Sequence, residues 1–364
     1  RRPVRPRRMD PRGRVVTSVL PRVGVVGAGG WGTTLASLFA ARADTLLWAR
    51  EPEVVASLRE TGQNEIFLPG LPVSPALRST NDLDEALADA ELVVLAVPAQ
   101  HLRSVMADLD VPPTAIVLNV AKGLEAGSCK RMTEVIAEML PHHEPDRIGV
   151  LSGPNLAREV MSGHPSATCV AFADPDAAER TRDLLMRDTL RVYTSEDVIG
   201  CEIGGAVKNV IAIASGVADG LGYGMNTRAA LLTRGLAELT RLGVALGGRP
   251  LTFLGLAGNG DLIATCSSPQ SRNFRVGRML ADGIPIDTIV KQMTMVAEGV
   301  ATAPVVVALA ERVGVELPIA GAVTALLSGR HRPAELVTQL MTRDPKPEAA
   351  GLEPAPTSTD GRSR

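Results

Sequence analysis

From residue 23 onward, short runs that are mostly apolar alternate with stretches of helical periodicity. The apolar runs cover 23–26, 45–48, 92–97, 115–120, 148–151 and 167–172. Runs of this kind, rather than alternating ones, fit strands covered on both faces. Their alternation with helices predicts a parallel sheet with crossover helices. Between the second and third runs, residues 64–72 include Pro69 and Pro72 and predict a loop. After Glu196 the period changes. Helical spacing dominates over 198–219, 229–246, 274–282, 286–291, 300–312 and 320–327, with glycine-rich loops at 221–224 and 255–260. The pattern predicts an α/β Rossmann-type parallel-sheet domain over 22–197, followed by an all-α domain over 198–342. Chemistry is expected in the cleft between them.

Composition narrows this picture. A chain of 364 residues favours two domains over one. Apolar residues make up 45% and aromatics 2%, so the cores are built from Val, Leu, Ile and Ala. The net charge of −2 argues against nucleic-acid binding by the folded body. Cys129, Cys169, Cys201 and Cys266 are scattered without metal-ligand spacing, and read as reduced, packed thiols of a cytoplasmic protein. The five histidines form no constellation, and no metal is expected. No apolar run free of charges and breakers reaches membrane-spanning length. Residues 1–21, rich in Arg, and 343–364, rich in Pro, predict disordered tails.

The first apolar run ends in Gly27-Ala28-Gly29-Gly30-Trp31-Gly32, followed at once by a helical segment of small residues. Such a turn between strand and helix is a dinucleotide fingerprint. Gly27 permits the tight turn, Gly29 lets the backbone approach a pyrophosphate, and Gly32 lets helix and strand pack closely. The helix N-terminus then offers N–H groups to the phosphates. About 20 residues on, an acidic residue would hold the ribose 2′-hydroxyl of NAD. Arg50 stands at that place with Glu51 beside it, which predicts that a 2′-phosphate is accepted and NADP(H) tolerated or preferred.

Lys208 lies in a predicted helix with Gly204 and Gly205 one turn before it. A lysine on an amphipathic helix ordinarily faces solvent. Two glycines beside this one predict instead a bare face on which a small ligand could lie, with a desolvated amine able to accept a hydroxyl proton. Lys122 follows the fourth apolar run, at the ligand edge of a doubly wound sheet, where it could hold a substrate oxygen or phosphate. Ser271 reads as a helix cap with Arg272 and Asn273 in the first turn, an arrangement suited to a phosphate monoester. Asp261 is either another cap or the group that orients a lysine or a substrate hydroxyl.

In order along the chain, the stretches GAGGWGTTLA (27–36), NEIFLPGLP (64–72), AKGLE (121–125), LSGPNLAREV (151–160), EIGGAVKNVIAIA (202–214), GLAGNGDL (255–262), SRNFRVG (271–277) and AEGV (297–300) resemble the bacterial NAD(P)-dependent sn-glycerol-3-phosphate dehydrogenases. The resemblance implies reversible oxidation of sn-glycerol 3-phosphate to dihydroxyacetone phosphate, the reductive direction supplying glycerol backbones for phospholipids. It implies Lys208 as proton acceptor, with Lys122 holding substrate near the nicotinamide. Gly153, Asn155, Asp261, Ser271, Arg272 and Asn273 are implied as substrate contacts. Gly30, Trp31, Arg50, Lys122, Ala157, Arg272, Val296 and Glu298 are implied as the NAD(P)H lining, and a homodimer as the assembly. Asn155 stands where that family usually has Ser or Thr. A related hydroxy-acid or phosphosugar dehydrogenase is the nearest alternative. A non-catalytic dinucleotide-sensing module would lack Lys208, Asp261 and the 271–273 set.

Overall fold

A computed structural model describes residues 20–345 and 347–348. The tails predicted at the two ends lie largely outside the described residues. Eight strands form one sheet: β1 (Arg22–Val26), β2 (Asp44–Trp48), β3 (Arg78–Thr80), β4 (Leu92–Leu95), β5 (Ile116–Asn119), β6 (Ile148–Ser152), β7 (Ser166–Ala171) and β8 (Leu190–Ser195). Their order is β3-β2-β1-β4-β5-β6-β7-β8. The chain switches from one side of β1 to the other between β3 and β4, and ligands of open parallel sheets bind at the strand ends beside such a switch. Val23, Val25, Leu47, Val94 and Leu118 are fully buried, as strands covered on both faces require.

The structure refines the predicted sheet in two respects. The sheet is not parallel throughout: β7 pairs antiparallel with β6, and β8 pairs parallel with β7. The reason is the connection. The segment after β6 carries only the short helix Ala157–Met161, which is held at the ligand edge, with Arg158 Nη1 donating to the Pro69 carbonyl at 2.9 Å. The chain therefore re-enters the sheet from the edge it left. The other refinement is β3 and β8, which the apolar pattern does not predict. Both are edge strands; β3 has three residues, and β8 alternates buried with exposed positions.

Beyond β8 all described elements are helices. The central helix, Val198–Gly220, is capped by Asp197, whose Oδ1 accepts from the Gly200 amide at 2.8 Å. It is long and apolar enough to span a membrane, yet 83% of its most apolar window is buried inside the protein. Around it pack the helices Met225–Ala245, Arg272–Ala281, Glu298–Arg312 and Pro318–Leu327. The central helix meets Arg272–Ala281 backbone to backbone. A Cβ on Gly277 would lie 2.0 Å from the Ile213 carbonyl, and one on Gly216 would lie 2.0 Å from the Phe274 carbonyl. This close crossing sets where Arg272 and Asn273 sit relative to Lys208. The predicted loop at 255–260 is instead a wide helical turn, Leu256–Gly260, running straight into the helix Asp261–Ser267.

Glu238 is the buried carboxylate that fixes one of these helices. It accepts from the Ile319 amide at 2.7 Å and the Ala320 amide at 3.2 Å. Burial pushes its carboxyl up to about 7 against the pull of those two amides. The folded protein then holds a proton that the unfolded chain releases nearer pH 4.3. The associated stability is complete below that value and is lost as pH rises through about 7. Unfolding free energies from denaturant titration are expected to fall between pH 5 and pH 8, by an amount on the order of 2–3 kcal/mol. Glu238→Gln should flatten that slope. An unchanged slope in the variant would assign the effect to another group.

Candidate active site

β1 delivers the chain to Gly27, whose φ of 109° only glycine adopts without strain. A Cβ there would lie 2.7 Å from the Ala96 carbonyl, and one on Gly32 only 1.9 Å from the Gly27 carbonyl. At Gly29 a Cβ would meet nothing within 4 Å, so the backbone there faces open space. The helix Gly30–Phe39 starts beside it, and no side chain caps its first turn. Open space, bare backbone and an uncapped helix N-terminus suit a pyrophosphate. The predicted loop at 64–72 buttresses the turn. Asn64 Nδ2 donates to the Ala28 carbonyl and to Thr33 Oγ1, both at 2.8 Å. Around Gly30 stand the Phe67 carbonyl and Ala157, with Trp31 next in sequence; the Trp31 Nε1 is buried without a partner.

The charged centre lies at the same edge of the sheet, against the central helix. Lys208 Nζ donates to Asp261 Oδ1 at 2.8 Å and to Thr265 Oγ1 at 2.6 Å. Lys122 Nζ donates to Asp261 Oδ2 at 2.7 Å and to the Gly153 carbonyl at 2.8 Å. One carboxylate thus holds two ammonium groups, with Lys208 exposing 6% and Asp261 1% of its surface. Burial pulls Lys122 down to about 8; Asp261 opposes the fall and the Lys208 charge adds to it. Burial alone would raise the Asp261 carboxyl, but the two lysines overcome it and hold it below the usual carboxylate range.

The glycines beside Lys208 do not leave the bare surface that the sequence predicts. A Cβ on Gly204 would lie 2.5 Å from the Ala257 carbonyl, and one on Gly205 would lie 3.0 Å from Ser152 Oγ and 3.3 Å from Lys122 Cγ. Gly204 admits the turn that leads to Asp261, and Gly205 admits the Lys122 side chain. The missing side chains therefore bring Lys122, Asp261 and Lys208 together. Asp261 does not cap its helix; it occupies the first position and binds the lysines.

A second chain of bonds reaches the remaining helices. Asn209 Nδ2 donates to the Lys122 carbonyl at 2.9 Å, and its Oδ1 accepts from Asn273 Nδ2 at 2.9 Å. Asn273 Oδ1 in turn accepts from the Gly299 amide at 2.9 Å. Ser271 caps its helix as expected, accepting from the Phe274 amide at 3.3 Å. Arg272 is largely buried, with Nη1 3.1 Å from Met295 Sδ, and burial lowers its pKa. Glu298 bridges the helical region to the sheet, its Oε1 accepting from the Ala99 amide at 2.9 Å. Burial raises its carboxyl, Arg272 opposing.

Lys122, Lys208, Asp261 and Gly153 thus form one bonded cluster, to which Asn273 connects through Asn209. Gly153 has a φ of 144°, and both amide atoms of the nearby Asn155 are buried without partners. Val296 is about half exposed on the loop before Glu298. Arg50 stands apart at the end of β2, 80% exposed in its side chain and paired with Glu51. Thr265 and Asn64 were not singled out by the sequence. Thr265 had a signal, lying four residues after Asp261 on one helix face. Asn64 had none, since its partners are 31 and 36 residues away.

The chain is similar to known proteins over most of its length. Residues 22–178 match the family model for the NAD-dependent glycerol-3-phosphate dehydrogenase N-terminus, and residues 197–338 match that for its C-terminus. A glycerol-3-phosphate dehydrogenase [NAD(P)+] of Sphingopyxis alaskensis is 48% identical over 322 residues, 88% of this chain and 96% of its own. One of Trichlorobacter lovleyi is 48% identical over 332 residues, 90% of this chain and all of its own. The crystal structure of glycerol-3-phosphate dehydrogenase from Coxiella burnetii superposes with a TM-score of 0.84 at 34% identity, covering 89% of this chain and 100% of that one.

Proposed function

The chain belongs to the NAD-dependent glycerol-3-phosphate dehydrogenase family, and from that premise we propose how its residues divide the work. The protein is an NAD(P)-dependent oxidoreductase that interconverts sn-glycerol 3-phosphate and dihydroxyacetone phosphate. Residues 22–197 bind the dinucleotide and residues 198–342 the substrate. When bound, the nicotinamide supplies or collects the hydride exchanged at substrate C2.

Lys208 is the proton acceptor. As a neutral amine it takes the C2 hydroxyl proton, and in the reductive direction its ammonium returns one to the forming alkoxide. Asp261 and Thr265 aim its nitrogen. Lys122, on the other oxygen of Asp261, supplies positive charge beside the reacting oxygen. Gly153, Asn155, Ser271 and Asn273 line the substrate, and Arg272, at an anion-attracting helix start, takes its phosphate. Holding the phosphate fixes C2 and turns binding energy into orientation. Gly27, Gly29, Gly30, Trp31, Gly32 and Ala157 cradle the dinucleotide, with Arg50, Lys122, Arg272, Val296 and Glu298 completing its lining. A homodimer in the cytoplasm, feeding glycerophospholipid synthesis, completes the reading.

The observation that carries it is the buried Lys208 amine held by Asp261 and Thr265, one helical residue from an asparagine bonded to the Lys122 loop. Purified protein mixed with dihydroxyacetone phosphate should oxidise NADPH or NADH, followed by nicotinamide absorbance. Faster turnover of a keto acid lacking phosphate would overturn the proposed substrate.

A further inference from the structure

The end of β2 carries two opposite charges where dinucleotide-binding folds ordinarily present one. Arg50 donates to the single oxygen Glu51 Oε1 from both Nε, at 3.1 Å, and Nη2, at 2.7 Å. Glu51 occupies the cap position of the helix Pro52–Thr61, yet its side chain makes no capping bond. Its carboxylate is turned to Arg50 instead. The backbone that presents the pair is pinned, with the Ala49 amide donating to the Thr80 carbonyl at 3.0 Å and Asn81 Nδ2 to the Ala49 carbonyl at 2.7 Å.

A carboxylate at this place accepts a hydrogen bond from a ribose 2′-hydroxyl, whereas an arginine pairs with a 2′-phosphate. We propose that Glu51 is the cofactor-specificity residue of this enzyme: by holding Arg50 and opposing a 2′-phosphate, it keeps NADH competitive with NADPH. A 2′-phosphate must draw the guanidinium away from Glu51 and then lie beside a like charge. A 2′-hydroxyl can donate to Glu51 while the ion pair stays intact. The inference rests on the reading that the adenosine ribose lies at the end of β2.

The test is direct binding of NADPH and of NADH to the substrate-free protein, by calorimetry or nicotinamide fluorescence, in the parent, Glu51→Gln and Arg50→Gln. The Arg50 side chain is 80% exposed and that of Glu51 33%, so neither substitution disturbs a core. Glu51→Gln is expected to tighten NADPH and raise its preference over NADH by about tenfold, the factor that about 1.4 kcal/mol represents. Arg50→Gln is expected to weaken NADPH by a similar factor and leave NADH nearly unchanged. If Arg50→Gln changes the preference and Glu51→Gln does not, the role given to Glu51 is wrong. If neither variant changes it, the ribose does not lie at the end of β2 and the proposal falls with that placement. Failure of the parent to bind either dinucleotide would instead overturn the dehydrogenase reading.

Discussion

Lys208→Ala is expected to lower kcat by about 10²- to 10⁴-fold, the contribution typical of a positioned proton acceptor. NADPH affinity should stay near that of the parent. The fold should survive, because Asp261 keeps its bond to Lys122 and the lost side chain leaves no unpaired carboxylate. Small primary amines added to the variant should restore part of the turnover by entering the vacated space. Retention of more than about one per cent of parental kcat would exclude Lys208 as the base. Failure to bind NADPH would show that the residue serves the fold of the cleft instead.

Asp261→Ala should affect both stability and turnover. It removes the one carboxylate bonded to both buried lysines. Breaking a buried ion pair from one side costs about 3–5 kcal/mol, because the remaining charge stays buried without a counter-ion. Chemical denaturation at pH 7 should show a loss of that order. The loss should shrink as pH rises through about 8, where Lys122 of the parent gives up its proton and Asp261 no longer offsets a charge there. Asp261→Asn keeps the shape and some hydrogen bonding, so it should lose less stability while turnover still collapses. A parental denaturation midpoint for Asp261→Ala would mean that the lysines find other partners.

Much of this centre could be read from residue order, and the reasons divide cleanly. The fingerprint at Gly27, Gly29 and Gly32 is legible because each glycine answers a local backbone demand. Ser271 is legible because a cap acts within one turn. Strands β1, β2 and β4 to β7 are legible from their apolar runs, because both faces are covered. The edge strands β3 and β8 lack that signal, and the reversal at β7 depends on where a connecting segment docks. Gly204 and Gly205 mark the right helix turn for a reason the sequence cannot supply. Their neighbours, Ala257, Ser152 and Lys122, are brought close only by the fold. Thr265 shares a helix face with Asp261, but its bond to Lys208 appears only in the fold.

The reversal of β7 and β8 also governs the height of Lys208. Because β8 runs opposite to β6, the chain leaves the sheet at the far rim, away from the ligand edge. The central helix then climbs back alongside β6, Cys201 packing with Val150 and Gly205 reaching Ser152. Ten residues of helix, from Val198 to Lys208, rise about 15 Å, close to the length of a five-residue strand. The helix acts as a ruler whose zero is Val198 and whose tenth mark is Lys208. One residue inserted between them would swing that amine by about 100° and lift it about 1.5 Å. Substitutions along this stretch are open to evolution within the limits of packing, while changes in its length are closed.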